Sequence, residues 1–214
     1  MIASQPFWDK VAARYAKSPV ADPEAYEITL DRVRAHLSPS DRVLELGCGT
    51  GTTALALANA AGHITASDIS GEMLRIGAAK AQDAGLANVS FLRGAPGDSA
   101  LAEAGPYDVV MAFNLLHLLP DLEGALAQIA PLVKPGGLFI SKTFCRPGAG
   151  EANFEYRMTR LALPVMQLVG KAPYVGFRPI QALEKAVEAA GFRIVETGNY
   201  PARPPRRFIV AKRV

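Results

Sequence analysis

Val43-Leu44-Glu45-Leu46-Gly47-Cys48-Gly49-Thr50-Gly51 sets three glycines in five positions directly behind an apolar run that contains one carboxylate, Glu45. A glycine-rich turn between a first strand and a helix is where an open α/β sheet binds a nucleotide. Glycine lets the backbone approach a ligand closely, and the helix that follows presents unpaired N–H groups. A dinucleotide fingerprint, G-x-G-x-x-G, would need its third glycine at Thr52, so the G-x-G-x-G found here does not match it.

Outward from this loop, short apolar runs alternate with helical patterns. Strands are predicted at Val43–Leu46, Ile64–Ser67, Val89–Leu92, Tyr107–Phe113 and Leu138–Phe144, with helices at Thr52–Ala61, Gly71–Ala84, Ser99–Ala104 and Leu122–Val133. Such alternation indicates βαβ units and a doubly wound, mostly parallel sheet covered on both faces. Ser70 suits the cap of the second helix, Pro131 ends or bends the fourth, and Lys134-Pro135-Gly136-Gly137 reads as a turn before the fifth strand. This core spans residues 39–145. Residues 1–38 form a helical cap, two helices split near Pro19–Pro23, with Phe7, Trp8, Val11 and Tyr15 on one face. Residues 146–178 form an insertion whose apolar stretch, Phe154–Val169, has the composition of a lid and is interrupted by Pro164. Residues 179–214 supply a helix and two strands, Phe192–Asn199 and Arg207–Lys212, an antiparallel hairpin for the sheet edge.

A chain of 214 residues, half of them hydrophobic, suits one globular domain with decorations. No apolar run reaches the roughly 18 residues of a membrane span, and the opening MIASQPFWDKVAARY lacks an apolar signal region. With only Cys48 and Cys145, a reducing cytoplasm is the expected location and no disulfide framework is indicated. The late basic residues, Arg193, Arg203, Arg206, Arg207, Lys212 and Arg213, stand against Glu196 but lack interleaved aromatics, so they read as solvated surface before nucleic-acid contact.

Glu45 narrows the ligand. Like charges about 4 Å apart repel by on the order of 1 kcal/mol in water and about 4 kcal/mol at an effective dielectric of 20, which disfavours a diphosphate over this loop. A ligand carrying an ammonium and a sulfonium turns that repulsion into attraction, and S-adenosylmethionine is such a ligand. Its carboxylate can use the loop N–H groups while its ammonium faces Glu45.

Glu45-Leu46-Gly47-Cys48-Gly49-Thr50-Gly51 followed by Asp68-Ile69-Ser70 with Met73-Leu74, then Tyr107-Asp108-Val109-Val110, Leu115 to Asp121 and Leu132 to Gly137, resembles a class I S-adenosylmethionine-dependent methyltransferase. Phe7-Trp8-Asp9 with Ala12 and Tyr15 is similar to small-molecule members, including quinone-biosynthesis enzymes. The resemblance implies a seven-stranded Rossmann-like sheet with an antiparallel last strand. It also implies an acidic residue after the third strand that meets the adenine amino group. Ala95 stands at that position, leaving Asp98, or the backbone of Ala95 and Pro96, for the contact.

The expected cofactor site is therefore Glu45, Gly47, Cys48, Gly49 and Gly51 in the loop, with Asp68, 21 residues after Gly47, on the ribose hydroxyls. Ile69 and Met73 either flank the adenine or pack in the core. Cys48 is a small neutral filler of the loop. Asn114 and Leu115, after the fourth strand, face the methionine portion. His117 is either a general base or a packed residue of the Leu115–Leu119 stretch. Trp8 and Tyr15 either contact the substrate and the sulfonium through their rings or dock their helix on the domain. No metal site is expected. The Asn/Asp-Pro-Pro-aromatic motif of DNA amino-group methylases is absent from Asn114-Leu115-Leu116-His117, which favours a small hydrophobic acceptor. A methyltransferase acting on RNA or protein and a non-catalytic cofactor-binding module stay open. So do a monomeric or homodimeric state and peripheral membrane contact through Phe154–Val169.

Overall fold

Successive residues of the central strands face opposite apolar layers, and that alternation builds the molecule. In β1 (Arg42–Leu46) Val43 enters one cluster while Leu44 and Leu46 enter the other. In β4 (Tyr107–Phe113) Val109 and Met111 go one way, Val110 and Ala112 the other. Strands apolar on both faces must lie between two helical layers, and each fully buried Leu or Val contributes about 1.5–3 kcal/mol. The structure is a computed structural model that describes residues 5–148, 152 and 154–214, the Glu155 side chain excepted.

The remaining strands are β2 (His63–Asp68), β3 (Val89–Arg93), β5 (Val133–Phe144), β6 (Phe192–Asn199) and β7 (Arg206–Arg213). They form one seven-stranded sheet in the order β3-β2-β1-β4-β5-β7-β6. β1 to β5 are parallel, and β7 runs antiparallel to both neighbours. The expected hairpin is present, with its second strand inward against β5. One layer takes Leu30 and Val33 of α2 (Pro23–Arg34), Leu57 of α3 (Thr52–Leu57) and Leu74 of α4 (Gly71–Asp83). The other takes Leu101 of α5 (Ser99–Ala104), Leu126 of α6 (Leu122–Ile129) and Leu183 of α8 (Ile180–Ala189). α1 (Gln5–Lys17) packs on α4, and α7 (Phe154–Leu168) follows β5. Among the described residues no helix is long and apolar enough to cross a membrane.

Helix starts have local causes. Ser70 Oγ accepts from Met73 N at 3.1 Å, Asp121 Oδ1 accepts from Gly124 N at 2.8 Å, and Asp22 caps α2 ahead of Pro23. Pro131 ends α6 at Ile129, and a short 3₁₀ turn, Ala130–Leu132, takes over. Three expectations change. Lys134 to Gly137 is a bulge inside a longer β5, because Lys134 Nζ holds Asp108 at 2.6 Å while the register slips between Tyr107 and Val109. α3 stops at Leu57, and Asn88 takes the carbonyls of Ala58 and Ala61 instead. Pro164 stands inside α7, which continues past it at the loss of one backbone hydrogen bond.

Candidate active site

A cavity of about 650 Å³ opens at the carboxyl ends of β1, β2 and β4. Between β1 and β4 the strand order reverses, the crevice that open α/β sheets use for ligands. Gly47 and Gly49, both left-handed at φ 65° and 55°, form its floor. A Cβ on Gly47 would lie 2.8 Å from Leu115, so the loop reaches the cavity only without a side chain there. Gly51 is placed elsewhere than expected. It is also left-handed, but it does not line the cavity, and a Cβ on it would meet Phe91 at 2.9 Å. Packing of α3 and α4 against β3 accounts for that glycine.

Asp68 ends β2 with its carboxylate in the cavity wall. One oxygen accepts Gly49 N at 2.9 Å and the other Ser70 N at 2.9 Å. Each carboxylate oxygen can accept a second bond, so acceptor capacity toward the cavity remains. Glu45 is wholly buried, and burial pushes its carboxyl up to about 8 although the Ala54 backbone N–H donates to it. Its Oε2 has no hydrogen-bond partner. A buried carboxyl with a spare acceptor, facing a cavity, fits a cationic ligand group. Burial also raises the Cys48 thiol well above its ordinary value, consistent with a neutral filler.

Ile69, Met73, Ala95 and Pro96 line the wall beside Asp68. Asp98 does not line the cavity, and its carboxylate turns back to accept Ala95 N at 2.8 Å. That bond occupies the Ala95 N–H as well. Asn114 adopts φ 53°, uncommon for a residue other than glycine, and its N–H reaches the Lys142 carbonyl at 2.7 Å. This turn carries Asn114 and Leu115 into the wall.

His117 is brought elsewhere than a general base requires. It does not line the cavity; its ring lies 6.3 Å from that of Phe144. Burial, then the charges of Arg206 and Arg178, push it down to about 4, so it is neutral at physiological pH. Trp8 and Tyr15 do line the cavity, joined by Phe7. α1 is held there by Asp9, which sequence reasoning passed over. Its Oδ1 accepts Ser70 Oγ at 2.6 Å and Glu72 N at 3.3 Å, adding a carboxylate to the positive end of α4.

The lid expectation is also revised. Residues 149–151 and 153 of the 146–178 insertion lie outside the described residues. Among the described residues of Phe154–Val169, Gln167 alone reaches the cavity, followed by Gly170, Ala172, Pro173 and Tyr174. The apolar side chains point away, Phe154 being 79% and Leu168 88% exposed. Tyr156, Leu163 and Gln167 mark the inward side of α7.

A family model described as a methyltransferase domain matches residues 44–139. Ubiquinone biosynthesis O-methyltransferase of Xanthomonas axonopodis pv. citri is 32% identical over 124 residues, 57% of this chain and 52% of that protein. The enzyme of the same name from Escherichia fergusonii is 33% identical over 107 residues, 50% of this chain and 44% of that protein. The chain thus spans about half the length of the curated relatives it matches. Among solved structures, magnesium protoporphyrin IX methyltransferase from Synechocystis PCC 6803 with bound SAH has a TM-score of 0.73 at 22% identity, covering 100% of this chain and 99% of that one. The 4+2 cyclase SpnF has a TM-score of 0.67 at 20% identity, covering 86% and 79%. These structural likenesses establish the fold. Motif order, family model and sheet topology agree on a methyltransferase domain over residues 44–139.

Proposed function

We propose that the chain transfers a methyl group from S-adenosylmethionine to a small acceptor with an apolar body, releasing S-adenosylhomocysteine. The observation that carries this is Glu45: a buried carboxyl with an unpartnered oxygen, at the foot of a glycine loop, in a cavity wall. Asp68 would hold the ribose hydroxyls, Ile69 and Met73 the adenine, and Glu45 the ammonium. The N–H groups of the Gly47–Gly49 loop would serve the carboxylate, with Asn114 and Leu115 beside the methionine chain.

S-adenosylmethionine supplies an already activated methyl carbon, so the chain's own task is to align and enclose. Holding reactants in line in a closed site contributes about 7–11 kcal/mol in favourable cases. Trp8, Tyr15 and Phe113 line the cavity, and an aromatic face turned to the sulfonium would contribute roughly 0.5–2 kcal/mol. On the far side the wall is apolar, with Phe113, Leu118, Leu119, Pro120 and Pro173, which supports a hydrophobic acceptor body. Docking on RNA loses support because the late basic residues do not share one free face. Arg207 is paired with Glu184, and Arg213 donates to the Val133 carbonyl.

Thermal-shift titration tests the cofactor half of the proposal. S-adenosylmethionine and S-adenosylhomocysteine are expected to raise the unfolding midpoint, and NADH is not. A response to NADH alone would overturn it. Release of S-adenosylhomocysteine against a panel of small acceptors separates an enzyme from a module that only binds.

A further inference from the structure

Behind the acceptor side of the cavity, three polar nitrogens are buried without a hydrogen-bond partner. They are Nε of Arg206, Nη1 of Arg178 and Nδ1 of His117, the last a donor in one of its tautomers. Chain segments far apart in sequence bring them together. Arg206 opens β7 opposite Phe144 of β5, and the His117 ring lies against that same phenylalanine. Arg178 bridges Cys145, the next residue along, and its Nη2 donates to the carbonyls of Leu119 and Pro120 at 3.0 and 3.1 Å. Both of those residues line the cavity. Gly176 leaves room for the meeting of Arg178 and Tyr174, since a Cβ on it would lie 2.8 Å from Nη1 and 2.9 Å from the Tyr174 hydroxyl, also in the cavity wall. The charges of both arginines act on His117, and that of Arg206 is felt by Lys142 and by Tyr15 of the wall.

Among the described residues, Arg178, Arg206 and Lys142 make no ion pair. The described carboxylates on this side of the fold are committed elsewhere. Glu184 holds Arg207, and Glu196 holds Arg32 and His36. Lys142 directs its ammonium to Thr29 Oγ1 at 2.7 Å, with only the more distant charge of Asp22 favouring it. Like charges gathered without a counter-charge among the described residues, with N–H groups withdrawn from water, are unfavourable unless something anionic completes them. Two guanidinium forks suit an oxyacid, which they can grip by paired hydrogen bonds.

We infer that the methyl acceptor carries an anionic oxygen group, a carboxylate or a phosphate, that docks on Arg206 and Arg178 while its apolar body lies in the cavity between Tyr15 and Tyr174. This deepens the methyl-transfer proposal and rests on it. The acid group anchors one end of the acceptor, so the opposite end is the one presented to the methyl. Cationic acceptors are turned away by the same two charges.

Calorimetric titration of the full chain, saturated with S-adenosylhomocysteine, tests the subsite with benzoate and phenylphosphonate against the neutral benzamide. At least one acid is expected to bind about tenfold or more tighter than benzamide. Arg206→Gln should abolish that preference, Arg206→Lys should keep most of it, and both should hold S-adenosylhomocysteine as the unaltered chain does. Equal binding of acids and amide, absence of binding by both acids, or an undiminished preference in Arg206→Gln would overturn the subsite. If Arg206→Gln fails to hold S-adenosylhomocysteine, Arg178→Gln carries the same expectation. Failure of the unaltered chain to bind S-adenosylhomocysteine, with acid preference intact, would instead strike the cofactor proposal.

Discussion

The two ends of the cavity carry opposite imbalances. At the β1–β2 end the surplus is of acceptors: Asp68 satisfies two backbone N–H groups and keeps capacity, and Glu45 keeps an oxygen unmatched. At the β4–β5–β7 end the surplus is of N–H groups, on Arg178 and Arg206. A folded chain pairs almost all its buried polar atoms; of those left over here, Glu45 lines the cavity, whereas Arg178 and Arg206 stand behind the residues that do. On the proposals above, one end would take positive charge and hydroxyls, and the other a negative oxygen.

Breaking the acidic end should give the largest effect. Asp68→Ala removes an acceptor for the proposed ligand and the cradle for Gly49 and Ser70 N–H. It is expected to weaken S-adenosylhomocysteine binding by about 3 kcal/mol, read by calorimetry. Unchanged affinity would remove Asp68 from the site.

Glu45→Gln should weaken S-adenosylmethionine binding by about 2 kcal/mol, and it carries a pH signature. Burial holds the folded carboxyl near 8, above the ordinary 4.5, so the ligand-free chain keeps a proton there at neutral pH. A cation favours the ionised form, and affinity should therefore climb from pH 6 to 8 and level off above. Without ligand the sign reverses. The folded chain binds a proton that the unfolded chain has released, so stability declines as pH rises from about 4.5 toward 8. Glutamine at this position should flatten both curves, and a slope that survives in the variant would assign the titration to another group.

Glu196 lies at neither end and serves as a control. Hydrogen bonding by Arg32 draws its carboxyl down to about 2. Its contribution is present above the unfolded value near 4.5 and is lost as pH falls through 2. Arg32 is 44% exposed, so screening limits the loss in Glu196→Gln to about 1 kcal/mol in denaturant unfolding, with ligand affinities untouched.

Smallest of all should be His117→Ala. A histidine already neutral at pH 5 supplies no ionisation to a rate profile between pH 5 and 8. The variant is expected to keep the profile of the unaltered chain, and disappearance of a limb near pH 6 would restore His117 as a base.

The acidic end is legible in the sequence because its parts are contiguous. Gly47 to Gly51, and Asp68 with Ile69 and Ser70, each sit on one strand-to-helix turn. The basic end is not, since no spacing encodes the pairing of Phe144 with Arg206, and nothing in the sequence distinguishes Arg206 from five other late basic residues. Composition marks Phe154–Val169 as apolar without saying which side faces inward. Pro135-Gly136 announces a turn, yet a bulge meets the same backbone demands. Asp98 is the nearest carboxylate in sequence to a missing acid, but it folds back on the Ala95 N–H and does not line the cavity.

β7 enters the sheet head-on against its parallel neighbours, so it meets the ligand edge with its first residue rather than its last. The stretch that delivers that residue, Pro201 to Pro205, is an external turn between β6 and β7, outside the nucleotide-binding half. Lengthening or trimming it would slide Arg206 relative to the proposed acceptor subsite while leaving the parallel scaffold intact. On the proposed subsite, selectivity would rest on a part that can drift independently of the machinery for donating the methyl.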